Sequence, residues 1–147
     1  MSTDPGAIFR HSHPLRVRSY HVDRQNVVHN LWYFYYFEEA RVEYVRAIGM
    51  AIDEGTFVTH DKFFVVRNTC DYAAPALYDE LLDIRTRVSA VGNSSITFEH
   101  VALKADGSVA ARGTHVLVHV DEQTNTPSPV PEHLRALIES YEAQGRD

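Results

Sequence analysis

Asp23-Arg24-Gln25-Asn26-Val27-Val28-His29-Asn30 leads straight into Leu31-Trp32-Tyr33-Phe34-Tyr35-Tyr36-Phe37-Glu38-Glu39-Ala40-Arg41. The first half is a short polar turn around one acid, and the second is strongly aromatic. From residue 31 to 48, Tyr33, Tyr36/Phe37, Ala40, Tyr44 and Ala47/Ile48 recur at three- and four-residue steps. That spacing predicts a helix with one buried face. Glu39, Glu43 and Arg46 fall on the opposite face, toward solvent or a partner, and Gly49 is a natural helix stop. Six consecutive aromatics, Trp32 to Phe37, cannot all face one sheet. The surplus is expected to line a groove or a subunit interface. A helix start offers backbone N–H groups with no partner inside the helix and a partial positive charge. A carboxylate beside such donors suits attack on a polarised carbonyl, directly or through water.

Working outward, the remaining pattern is mostly strand. Arg16-Val17-Arg18-Ser19-Tyr20 reads as a short first strand, and Phe63 to Tyr72 is rich in β-formers. From Leu82, the residues Ile84, Thr86, Val88 and Ala90 alternate with Asp83, Arg85, Arg87 and Ser89, the period of a half-buried strand. Gly92-Asn93 breaks it, Ile96 to Lys104 forms the next, and Asp106-Gly107 is a hairpin signal before Val109 to Val120. The small residues Ala110, Ala111 and Gly113 would let a helix lie close to the sheet. Thr126 to Pro131 is a linker, Pro131 suits the first turn of a last helix, and Leu134, Leu137, Ile138 and Tyr141 give that helix an apolar stripe. The order implies an α+β domain, with a mostly antiparallel five-stranded sheet curled around one long helix and a short C-terminal helix. Residues 1–12 are expected to be a flexible tail and 13–147 a single domain.

The 147 residues suit one core, and 44% apolar with 23% charged residues is an ordinary globular balance. A net charge of −6 without a dense Lys/Arg stripe excludes a general nucleic-acid binder. Cys70 is the single cysteine, so no internal disulfide or thiol zinc site is expected. The first 13 residues lack a secretory core. The longest apolar run, Leu31 to Phe37, is far below the roughly 20 residues that span a bilayer. A cytoplasmic location without membrane contact is the expectation. Among the nine histidines, only His11/His13 and His115/His119 are close in sequence. The second pair would stand about 13 Å apart along a strand, without matching acid or thiol ligands, so no metal site is expected.

With these residues in view, Val17 to Gly49 resembles the hotdog-fold acyl-CoA thioesterases, specifically the 4-hydroxybenzoyl-CoA thioesterase-like group. The resemblance rests on Asp23, Val27-Val28, His29-Asn30, Tyr33 and Glu38-Glu39-Ala40-Arg41. A second patch, Asp71-Tyr72-Ala73-Ala74-Pro75 with Tyr78-Asp79-Glu80-Leu81, extends it. Asn26 stands where the group commonly has glycine, and asparagine tolerates the left-handed backbone such a turn needs.

The resemblance implies a hotdog fold and hydrolysis of an acyl-CoA thioester. Asp23 is the implied catalytic carboxylate, as nucleophile or general base. The backbone N–H groups of His29 and Asn30 are the expected oxyanion donors, and the His29 ring is a further candidate base. Asn26, Val28, Tyr33 and Phe37 are the expected substrate-binding residues. No metal or redox cofactor is implied, since coenzyme A belongs to the substrate. Hotdog subunits pair edge to edge, so a homodimer or homotetramer is expected. Two alternatives stay open: an acyl-carrier-protein thioester as substrate, and a non-catalytic acyl-binding module. Arg85, Arg87 and Arg112 lie on polar strand faces, where solvent or coenzyme A phosphates could meet them. Glu38 and Arg41 are expected to form a helix-surface or interface pair.

Overall fold

The computed structural model describes residues 4–57 and 61–144. Its elements are β1 (His11–Arg16), a 3-10 turn (Ser19–His21), α1 (Trp32–Ala47), β2 (Phe63–Tyr72), β3 (Leu81–Val91), β4 (Ser95–Leu103), β5 (Val109–His119) and α2 (Glu132–Gln144). The strands form one antiparallel sheet in the order β1-β3-β4-β5-β2. The α+β hotdog arrangement read from the sequence is therefore present, with the sheet packed around α1.

The helix forms where its spacing placed it. Tyr33, Tyr36, Phe37, Ala40 and Tyr44 are buried, joined by Val45 and Ile48, while Ala47 stays exposed. Gly49 ends the helix at φ +112°, a left-handed conformation that glycine adopts without strain. Small sheet residues do bring helix and sheet together. A Cβ on Gly113 would stand 2.7 Å from the Phe37 ring and 3.0 Å from the Thr69 carbonyl. Of the surplus aromatics, Tyr35 is exposed and Trp32 leans on His21 and Tyr35.

The core has two parts. Val17, Leu82, Ile84, Ala102 and Ala111 meet the N-terminal half of α1. Val88, Ile96, Phe98 and Leu117 meet its C-terminal half together with Leu134 and Ile138 of α2. Between them runs a polar row. His11, Thr86 and His100 align across β1, β3 and β4, and the His115 ring packs on that of His100 with centroids 4.8 Å apart. Thr86 and His100 share a 2.9 Å hydrogen bond, while His100 Nε2, His115 Nε2 and His11 Nδ1 have no partner among the described residues.

Two sequence expectations need correction. The first strand is His11–Arg16, earlier than the expected 16–20, and 19–21 is a 3-10 turn. Nor are residues 4–12 a loose tail: Phe9 is buried against Val101 and Leu103, and His11 is an interior strand residue. The inward positions of β1 include histidines, so polarity hid the alternation. Pro14 is accommodated because β1 is an edge strand.

Candidate active site

Residues 22–28 form a tight hairpin. Val22 bridges Val28, the Asp23 N–H donates to the Val27 carbonyl (2.9 Å), and the Asn26 N–H donates to the Asp23 carbonyl (3.0 Å). Asn26 takes φ +62°, as its tolerance of that region allows. The hairpin is clamped from outside: Val27 bridges Leu77, and the Val28 N–H donates to the Ala76 carbonyl at 2.9 Å. A sharp local turn is thus held by a distant segment, which fixes where Asp23 stands.

Asp23 is exposed at the rim of a groove of about 350 Å³ that Val28, Asn30, Tyr33, Tyr72 and Pro75 also line. Its Oδ1 accepts the Gln25 N–H at 2.7 Å, an Asx turn that orients the carboxylate. Oδ2 has no hydrogen-bond partner among the described residues and is available to a ligand. Tyr33 is nearly fully buried, and burial pushes its phenol up to about 12, so it faces the groove as a neutral wall. Its ring meets the Tyr72 ring edge to face at 5.6 Å.

The helix start divides its backbone donors unequally. The His29 N–H donates to the His21 carbonyl at 2.9 Å. It is therefore engaged, which corrects the expectation of two free donors. His29 serves the helix start instead: its carbonyl accepts the Trp32 N–H and its ring Nδ1 accepts the Leu31 N–H at 3.2 Å. A ring nitrogen holding that bond is not a free base. The Asn30 N–H, by contrast, donates to no acceptor among the described residues. The Asn30 carbonyl accepts the Tyr72 hydroxyl at 2.9 Å, which pins this peptide against the end of β2.

Of the expected substrate-binding residues, Val28 and Tyr33 line the groove and two do not. Asn26 shapes the turn with its side chain in solvent. Phe37 is fully buried, stacked on His100 at 4.9 Å, because the close approach at Gly113 draws it under the sheet. Tyr72 was missed as a site residue. Its signal was the Asp71-to-Pro75 patch, whose place beside the helix start depends on sheet register. Arg85 and Arg87 are engaged, each 2.7 Å from Asp83 and Glu99 respectively. Glu38 and Arg41 stand 3.9 Å apart, but Arg41 is mostly buried rather than on the helix surface. Among the described residues, no cluster of three or more His, Cys, Asp or Glu is arranged to hold a metal ion. None of the described helices is long and apolar enough to cross a membrane.

The family model of the thioesterase-like superfamily matches residues 17–138. The chain belongs to that superfamily. A putative esterase of Aquifex aeolicus is 31% identical over 82% of this chain and 94% of the relative. The acyl-CoA thioesterase YbgC of Haemophilus influenzae is also 31% identical, over 86% of this chain and 93% of its own length. Among solved structures, a Thermus thermophilus thioesterase complexed with coenzyme A and zinc superimposes with a TM-score of 0.80. It is 29% identical and covers 95% of this chain and 97% of its own. Superfamily membership and the hotdog architecture agree with the resemblance drawn from the 17–49 segment.

Proposed function

We propose that this protein hydrolyses acyl-coenzyme A thioesters in the groove beside the start of α1. One observation carries the reading: a carboxylate with an unengaged oxygen, Asp23, and an unengaged backbone N–H, Asn30, line the same groove. The Asn30 N–H would donate a hydrogen bond to the thioester oxygen as it becomes negative. A donor of this kind contributes about 3–4 kcal/mol to barrier lowering in measured cases. Asp23 either attacks the carbonyl carbon, giving a mixed anhydride that water cleaves, or takes a proton from the attacking water. In both routes the C–S bond breaks and coenzyme A leaves as the thiol. The named activity of the Haemophilus relative and the coenzyme A in the Thermus structure support the substrate class.

The groove also borders an open sheet edge. Among the described residues β2 pairs only with β5, and its Phe64, Val65 and Val66 are exposed. An unpaired apolar edge invites a second copy. A homodimer joined through β2, which would place a neighbour beside Tyr72, is part of the proposal. The test is a panel of aromatic and of short, medium and long aliphatic acyl-CoA thioesters, with the matching carrier-protein thioesters alongside and Asp23→Asn as control. Hydrolysis of at least one coenzyme A ester, lost in Asp23→Asn, is expected. Tight acyl-CoA binding without turnover, or turnover confined to carrier-protein esters, would replace this reading with one of its two rivals.

A further inference from the structure

A second hollow takes no part in that chemistry. It lies between the C-terminal half of α1, strands β2, β4 and β5, and helix α2, and its volume is about 210 Å³. It shares no lining residue with the Asp23 groove. Ile48, Ile96, Phe98, Leu117 and Ile138 make its walls. A hollow so lined is a poor place for water and a good one for an apolar body. An engineered cavity of about 150 Å³ lined by Leu, Ile and Phe stays dry and binds benzene.

Arg41 supplies a charge inside it. The side chain is 11% exposed. It bonds His115 Nδ1 at 3.0 Å and lies 3.9 Å from Glu38, whose own side chain is 59% exposed. The other acid on the wall, Asp61, lies 3.5 Å from His133. His100 and His115, beneath Arg41, are held neutral at pH 7 by burial, so they bring no counter-charge. A guanidinium carries five N–H donors in a planar fork. Among the described residues one of these donors is hydrogen-bonded, and the Glu38 carboxylate 3.9 Å away is mostly turned to solvent. Ligand sites commonly have this composition, apolar walls with one well-placed polar group. A carboxylate matches the fork with two parallel bonds.

We propose that this hollow binds an apolar monocarboxylate, with its chain among Ile48, Phe98 and Ile138 and its carboxylate on Arg41. Arg41 lies eleven residues beyond Asn30, about 16 Å along the helix axis. The site is therefore separate from the groove. Thioester hydrolysis releases acids of this class, yet the proposal does not need that reaction: a chain that cleaves nothing would still bind the acid.

The experiment is isothermal titration of the full chain at pH 7 with octanoate and with octan-1-ol, which keeps the chain and lacks the charge. Octanoate is expected to bind at least tenfold tighter. Arg41→Met should bring octanoate to the level of octanol and leave octanol unchanged. Val42→Trp, which fills the hollow from α1, should abolish both, and Asp23→Asn should alter neither. Thermal unfolding checks that each variant is folded. If Arg41→Met does not fold, the wild-type preference and Val42→Trp decide. Octanol binding as tightly as octanoate, octanoate surviving Val42→Trp, or octanoate lost in Asp23→Asn would each overturn the proposal. Octanoate binding by a chain without thioester turnover would sink the thioesterase reading alone.

Discussion

The two ends of α1 carry hollows of opposite construction. At the start of the helix, the polar groups are an exposed carboxylate and a backbone N–H, held by a hairpin, the Ala76 carbonyl and the Tyr72 hydroxyl. Toward the helix end, the polar group is a buried guanidinium among aliphatic and aromatic walls, next to a row of buried histidines. The first hollow can be altered with little effect on folding, because its working groups touch solvent. The second region is more sensitive, because its polar groups are buried inside the core. Function and stability should therefore respond to different substitutions.

The largest expected effect is at the groove. Asp23→Asn should lower kcat for a good acyl-CoA substrate by about 10²- to 10⁴-fold, the range for a positioned acid or base. Urea denaturation should find its stability within about 0.5 kcal/mol of the parent. A variant that lost stability in step with activity would break the contrast.

The histidine row should give the next largest effect, on stability alone. Burial first, and Arg41 second, hold His115 at about 4, and burial holds His100 well below 6.5. The unfolded chain takes up these protons near pH 6.5, whereas the folded chain resists until far lower pH. Stability should therefore be complete above about pH 6.5 and fall as pH drops toward 4, by about 3 kcal/mol for His115 alone. Urea midpoints at pH 7.5, 6, 5 and 4.5 measure this, and His100→Leu should flatten the slope.

Gly113→Ala sharpens the point further. The added methyl would press on the Phe37 ring and the Thr69 carbonyl, and should cost about 1–3 kcal/mol. Turnover of the folded fraction should be retained. Tyr72→Phe removes the bond to the Asn30 carbonyl, worth about 1 kcal/mol, and should reduce kcat/KM by up to about tenfold. Asn30→Ala should have the smallest effect, under about threefold, because the proposed donor is the backbone N–H and survives the change. A large loss there would move the role to the side chain.

Much of this was legible in the sequence where one physical rule acted alone. β2 begins and ends at Phe63 and Tyr72 because β-formers fill that stretch, and α1 follows the spacing of Tyr33, Phe37, Ala40 and Tyr44. β1 was misplaced because its inward positions include His11 and His13, which read as polar. Asp23, Val28, Asn30 and Tyr33 were brought to one groove, as the turn-then-helix reading implied. The His29 N–H could not be assigned from sequence, because its acceptor, the His21 carbonyl, is chosen by how the chain folds back. Phe37 and Tyr72 exchanged roles for a similar reason: helix depth and sheet register decide which aromatic reaches the groove.

The most direct test of the account is to watch the Asn30 amide while the groove is filled. A coenzyme A analogue with a methylene in place of the thioester sulfur keeps the carbonyl and cannot be hydrolysed. Titrated into ¹⁵N-labelled protein, it should move the Asn30 amide proton strongly downfield as its N–H gains an acceptor, with the His29 amide shifting far less. Saturable binding that leaves the Asn30 resonance in place would contradict the claim that this donor holds the substrate carbonyl.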